Sequence, residues 1–203
     1  MEVRRATADD GPAILGVLER SLASDPFVGW LVQTGLRRNI ERRRYFRVML
    51  NTLALPRGRV DVAVVGGRIA SAALWAPPET WKLGLGTSVK VMLGMVAIVG
   101  LRRFDRVNES LEAIERARPP EPRWLLTLLG TDPVHQRRGL ASAVLAPVLA
   151  ECDAAGTRAV LETSEESNLP FYRRHGFEVV AKTPLCDGGP ACYTMVREPR
   201  ERA

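Results

Sequence analysis

Lysine, histidine, cysteine and aromatic residues are all scarce in this chain, and each scarcity removes a class of chemistry. Only Lys82, Lys90 and Lys182 are lysines; the other 26 of the 29 basic residues are arginines. Such an arginine bias also arises from base composition, so it carries no function by itself. The only histidines are His135 and His175. Neither pairs credibly with a serine or cysteine nucleophile; His135 reads as a turn residue, and His175 as a cation suited to a helix C-terminus. The cysteines Cys152, Cys186 and Cys192 lack metal-ligand spacing, and their odd number suits a reducing compartment. No zinc site or paired-carboxylate magnesium site is legible, so no metal is expected.

Aromatics make up 6% of the chain, and no basic stripe is interleaved with them. The net charge of +6 therefore suits an anionic ligand better than nucleic acid. Long hydrophobic runs are missing too. The most apolar stretch, VMLGMVAIVGL at 91–101, is too short for a bilayer, which needs about 20 residues, and reads as a buried helix facing the core or a pocket. The N-terminal MEVRRATADDGPAIL lacks the apolar segment of a secretion signal. The expectation is a cytoplasmic protein, monomeric or homodimeric, with no membrane partner.

What is present alternates between strand and helix patterns. EVRRA at 2–6 reads as a strand, followed by a helix over 11–23, capped by Thr7 or Asp9, with Ile14, Leu15, Leu18 and Leu22 at helical spacing. SDPFVGWLVQ reads as a loop and irregular turn, and 37–54 as a second helix. VDVAVV and IASAALWA flank Gly66-Gly67, a strong hairpin signal. One helix is expected over 84–117, with a Glu112–Arg116 pair along it. WLLTLLGT at 124–131 is apolar almost throughout, as in a strand buried on both faces. A helix over 139–155, a strand at 159–163, a short helix at 168–175 and two closing strands complete an α/β chain. We expect one domain over 1–203, with a mixed sheet of about seven strands flanked by helices.

One junction invites a ligand. VHQRRGLASAV begins at residue 134, between a buried strand and a helix. Its two arginines sit at a helix start, where the peptide dipoles favour negative charge. A glycine lets backbone approach a ligand closely, and the unpaired N–H groups of a first helical turn bind phosphate. A plain strand-to-helix turn explains the glycine equally well on this motif alone.

QRRGLA, preceded by LLTLLGTDPVH, resembles the Q/R-x-x-G-x-G/A signature of the GNAT N-acetyltransferase superfamily. NLPFYRRHGF at 168–177 is similar to a second block of that family. The similarity is dense over 121–197, the expected cofactor half, and thin but colinear over 3–119, with the acceptor-pocket elements expected mainly over 11–120. It is densest with members that acetylate an aminonucleoside antibiotic. The resemblance implies acetyl-CoA as co-substrate and a small-molecule amine as acceptor. It implies that Leu129, Gly130 and Thr131 meet the pantetheine arm, with a backbone amide near Gly130 or Thr131 serving the oxyanion. It also implies that Gln136, Arg137, Arg138, Gly139, Leu140 and Ala141 surround the pyrophosphate, with Asn168 and Phe171 beside the cofactor. Tyr172 is then the general acid and Glu162 a candidate base. Asp25, Phe27, Trp30, Trp75 and Trp81 are candidates for the acceptor pocket, each with a packing or capping role as the alternative. Two other readings stay open: acetylation of another small amine or a protein N-terminus, and a non-catalytic acyl-CoA-binding regulator.

Overall fold

The computed structural model describes residues 1–32, 38–78 and 85–200. Seven strands form one sheet in the order β1-β2-β3-β4-β5-β7-β6. They are β1 (Glu2–Arg5), β2 (Arg59–Val65), β3 (Arg68–Ala76), β4 (Arg123–Thr131), β5 (Arg158–Thr163), β6 (Glu178–Pro184) and β7 (Ala191–Arg197). All neighbours are antiparallel except β4 and β5. The helices are α1 (Gly11–Ser21), α2 (Pro26–Leu31), α3 (Arg38–Val48), α4 (Leu55–Arg57), α5 (Leu85–Val99), α6 (Leu101–Arg116), α7 (Leu140–Ala155) and α8 (Leu169–Arg174). The expected α/β domain with a seven-stranded mixed sheet is what forms.

The strand period of two sorts side chains onto two cores. On β3, Ala73 and Trp75 join Val144, Leu145 and Val148 of α7. Ala72 and Leu74 face the opposite way, against Leu18 of α1 and Phe46 of α3. The hairpin between β2 and β3 turns on Gly66 and Gly67, whose φ values of +57° and +74° are those the sequence predicts for a tight two-residue turn.

Several expectations need correction. SDPFVGWLVQ is not simply a loop: Asp25 accepts the Val28 N–H at 2.9 Å and caps α2, which an N-cap followed by proline favours. The second helix reaches Arg57, passing through a π-helical stretch at Met49–Ala54, while residue 37 lies outside the described residues. The helix expected over 84–117 is two helices, because Gly100 adopts φ +77° and caps α6; residue 84 is also outside the described set. The apolar run there is only partly buried: Ile98 and Val99 are fully covered, whereas Met92 and Leu93 face outward. No described helix is long and apolar enough to cross a membrane. Asp10 holds the N-cap position of α1 without a side-chain capping bond, while Thr7 heads the 3-10 turn Ala8–Asp10 that leads into it, its N–H donating to Asp10 Oδ2 at 2.8 Å. The densest basic run is partly tied into the fold, since Arg42 donates to Ala23 O, Arg43 pairs with Glu19, and Arg44 donates to Ala97 O.

On the outer side of β7, Arg197 makes two bonds to Asp153 of α7, at 2.8 and 2.7 Å. These bonds outweigh desolvation and hold the Asp153 carboxyl below its ordinary range. A lowered folded-state pKa stabilises above the unfolded value and is lost as pH falls through the folded one. Asp153→Asn should therefore cost about 2 kcal/mol at neutral pH, less than the 3–5 kcal/mol of a fully buried pair, since Asp153 keeps 26% of its side-chain surface. Urea denaturation of variant and wild type should converge as pH falls through the lowered folded-state pKa, where the native carboxylate is protonated as well.

Candidate active site

The site begins where the parallel pair comes apart. β4 and β5 pair from Arg123↔Arg158 to Leu126↔Leu161 and no further. Beyond that point β4 stays with β3, and β5 stays with β7. The edge of β4 from Thr127 onward thus lacks a strand on one side. Asp132 N donates to Ala70 O of the β3 side at 2.8 Å. Successive peptide groups alternate sides in an antiparallel ladder, so the Gly130 N–H also faces β3, while those of Leu129 and Thr131 face the opening. Gly130 is closely packed as well: a Cβ there would lie 2.4 Å from the Ser21 hydroxyl of α1. The expectation that β4 is buried on both faces fails, because Leu125, Thr127, Leu128 and Leu129 line a cavity.

At the end of β4, Arg20 donates to Asp132 through Nε and Nη2, at 2.8 and 2.6 Å. Burial pushes the Asp132 carboxyl up, but these bonds more than offset it and leave it below its ordinary value. The turn then passes through Arg137 at φ +61° and Gly139 at φ +79°, and Gly139 becomes the N-cap of the 16-residue α7. Left-handed residues beside a helix start gather N–H groups into an anion-binding concavity. Arg137 and Arg138 are exposed and form no ion pair among the described residues. The Gln136 side chain donates to Thr131 O at 3.3 Å, closing the turn. Leu140 is buried under α7, so only its backbone is available to a ligand, as is that of its neighbour Ala141.

The cavity encloses about 680 Å³ and extends from the open edge of β4 to α2, α3, α5 and α6. Asn168 and Tyr172 line it from the α8 side, and Asp25, Phe27 and Tyr45 line the wall formed by α2 and α3. Tyr172 is 8% exposed, with Phe171 at 5.2 Å and Phe177 at 6.1 Å between ring centroids. Burial pushes its phenol well above the ordinary value, and the nearby charge of Asp25 adds to the rise. The phenol therefore holds its proton throughout the neutral range. Asn168 makes no capping bond, and its side chain is exposed. Phe171 sits behind Tyr172 against His175. His175 shares a 2.9 Å hydrogen bond with Ser142; burial and then Arg174, Arg197 and Arg200 push its pKa down. It is a neutral imidazole at neutral pH and not the expected cation.

Glu162 enters the cavity from the end of β5. Arg118 holds both its oxygens, Nε to Oε1 at 2.6 Å and Nη2 to Oε2 at 3.1 Å. Arg118 also pairs with Glu115, which Arg123 meets at 2.7 Å. Burial lowers the pKa of Arg118, but Glu162 and Glu115 more than compensate. This four-membered wall went unread in the sequence because Glu162 lies 44 residues from Arg118, and Tyr45 went unread as well. Trp75 also contributes to the cavity and packs edge-on against Trp124 at 6.4 Å. Trp30 lines a second, outer cleft, where its indole donates to Cys186 O at 2.8 Å. Trp81 lies outside the described residues.

Comparison with known proteins agrees with this architecture. The family model of the acetyltransferase (GNAT) domain matches residues 110–198. The histone acetyltransferase HPA2 and related acetyltransferase of Corynebacterium glutamicum is 24% identical, with a TM-score of 0.75 over 99% of this chain and 97% of its own. The mosquito arylalkylamine N-acetyltransferase like 5b is 13% identical, with a TM-score of 0.62 over 97% of this chain and 99% of its own. The Drosophila melanogaster polyamine N-acetyltransferase, which forms N-acetylagmatine, is 16% identical with a TM-score of 0.59 over the same shares. The fold is that of the GNAT acetyltransferases. The matched domain and the shared architecture are those of N-acetyltransferase enzymes.

The charged wall has its own test. Arg118→Met leaves Glu162 and Glu115 without their shared partner, and should cost about 3 kcal/mol in urea denaturation. Arg118→Lys should recover only part of the loss, because an ammonium cannot reproduce the guanidinium fork.

Proposed function

We propose that this protein transfers an acetyl group from acetyl-CoA to the amine of a small molecule, with puromycin or a related aminonucleoside as the leading acceptor. The observation that carries the proposal is the single cavity joining the open edge of β4 to Tyr172 and the wall formed by α2 and α3. In this reading the peptide groups of Leu129 and Thr131 pair with the pantetheine arm as an added strand would. The backbone of residues 136–141 holds the pyrophosphate, and Asn168 binds beside the thioester. Gly130, whose N–H faces β3, serves by letting α1 pack closely, which leaves the Thr131 amide as the oxyanion donor.

The chemistry asks the chain to hold the acceptor, receive its neutral amine at the thioester carbon, and protonate the departing thiolate. Tyr172 does the last of these, since a buried phenol that keeps its proton is a suitable acid for a thiolate. An α-amine has a reference pKa near 8, so a useful neutral fraction exists without a strong base. Glu162 keeps a lone pair on each oxygen beside the Arg118 fork, so it can still accept a hydrogen bond from the amine, directly or through water. The cavity's depth beneath α5 and α6 supports a small amine over a protein N-terminus, and the proton donor inside it supports an enzyme over a passive acyl-CoA binder.

Thiol release from acetyl-CoA, measured with puromycin and a panel of amines, tests the reaction; release that no amine accelerates overturns it. Tyr172→Phe should lower kcat by about 100-fold with little change in the KM for acetyl-CoA, and an undiminished kcat removes the general-acid role. Gly139→Val forces a branched residue into φ +79°, a strain of about 1–3 kcal/mol. Calorimetry should then record coenzyme A binding about tenfold weaker.

A further inference from the structure

The cavity holds three carboxylates among the described residues: Asp25, Glu115 and Glu162. Two of them are already neutralised, since Glu162 is held by Arg118, and Glu115 by Arg118 and Arg123. Asp25 is different. Its hydrogen bonds come from backbone, with the Val28 N–H at 2.9 Å, and it has no basic partner among the described residues. Its neighbours in the wall, Phe27, Val28, Leu31 and Met95, are apolar, and the nearby charge is a further carboxylate, Glu165, rather than a cation. Tyr45 and Tyr172 are the phenols of this cavity, and both feel its charge. Burial pushes the Cys192 thiol up to about 12, so that neighbouring group stays neutral and does not compete.

From this arrangement we infer that Asp25 is the residue that selects the acceptor, by binding the ammonium of a cationic amine whose uncharged aromatic or aliphatic body fills the rest of the cavity. The inference rests on the acetyltransferase reading for the identity of the site, and deepens it by naming the charge the site demands. An unpaired carboxylate in apolar surroundings is destabilised until a cation meets it. Burial raises the pKa of Asp25 despite the bonds from α2, which is the signature of such an unmet charge. Phe27, Met49 and Met95 offer flexible, polarisable contacts to the body of the ligand. The acceptor cation would then sit between Asp25 and Tyr172, and it would have to give up its proton to solvent before the neutral amine attacks the thioester.

Phenethylamine and phenethyl alcohol differ only in the group Asp25 would read, so their relative affinity is the probe. The wild-type protein should bind the amine about tenfold or more tightly than the alcohol by titration calorimetry, the range expected for a charged hydrogen bond. Asp25→Asn keeps an N-cap for α2 and should melt with the wild type. It should bring the ratio to about twofold or below by weakening the amine alone. Equal affinities in the wild type, no binding of either probe, a ratio preserved in Asp25→Asn, or a ratio lost instead in Glu162→Gln would each overturn the inference. Thiol release with phenethylamine and acetyl-CoA is read separately. A protein that discriminates through Asp25 but releases no thiol loses the acetyltransferase reading and keeps this one.

Discussion

Past Leu126 and Leu161, the only parallel pair of the sheet can no longer hold its ladder, and most of the site follows from that parting. A strand edge inside a protein normally finds a partner, because unpaired peptide groups are costly away from water. Here β4 keeps β3 on one side and leaves the other open for a ligand. The same parting separates the turn before α7 from the turn before α8, so the helix start proposed to hold phosphate and Tyr172 lie on opposite banks of one cleft. The two cores on either face of the sheet give those banks rigid support, with Val144 and Val148 of α7 on one side and Leu18 of α1 on the other.

Charge is distributed with the same economy. Arginines that look like a surface field in the sequence act mostly as clamps. Arg20 fixes Asp132, Arg59 fixes Asp61, and Arg118 fixes Glu162. Each guanidinium presents several donors in a rigid fork, which an ammonium cannot match, and this fits a chain with so few lysines. The exposed pair at Arg137 and Arg138 stands apart, as does Asp25.

Local signals were the readable ones. Gly66-Gly67 fixes its own turn, QRRGLA marks a helix start, and NLPFYRRHGF carries Tyr172 and Asn168 on adjacent turns, so strand order aside, the elements of the proposed cofactor side were legible in short words. The acceptor side was not. Arg118 and Glu162 are 44 residues apart, and nothing in either neighbourhood announces the other. Gly100 looked like one more residue in an apolar helix, although its φ of +77° is what breaks α5 from α6. The apolar run of β4 suggested burial on both faces because a cavity wall and a core ask for the same side chains. Asp25 was readable as a cap or as an amine ligand, and the fold gives it the cap while leaving its charge unanswered.

Arg137 holds a left-handed backbone at φ +61°, a conformation that costs a side-chain-bearing residue on the order of 1 kcal/mol. The rest of the fold has already met that cost, through α7 on one side and the Asp132 turn on the other. A polyanion arriving at this corner does not have to organise it, so little conformational entropy is surrendered on docking. The turn behaves as a mould cast before its contents arrive.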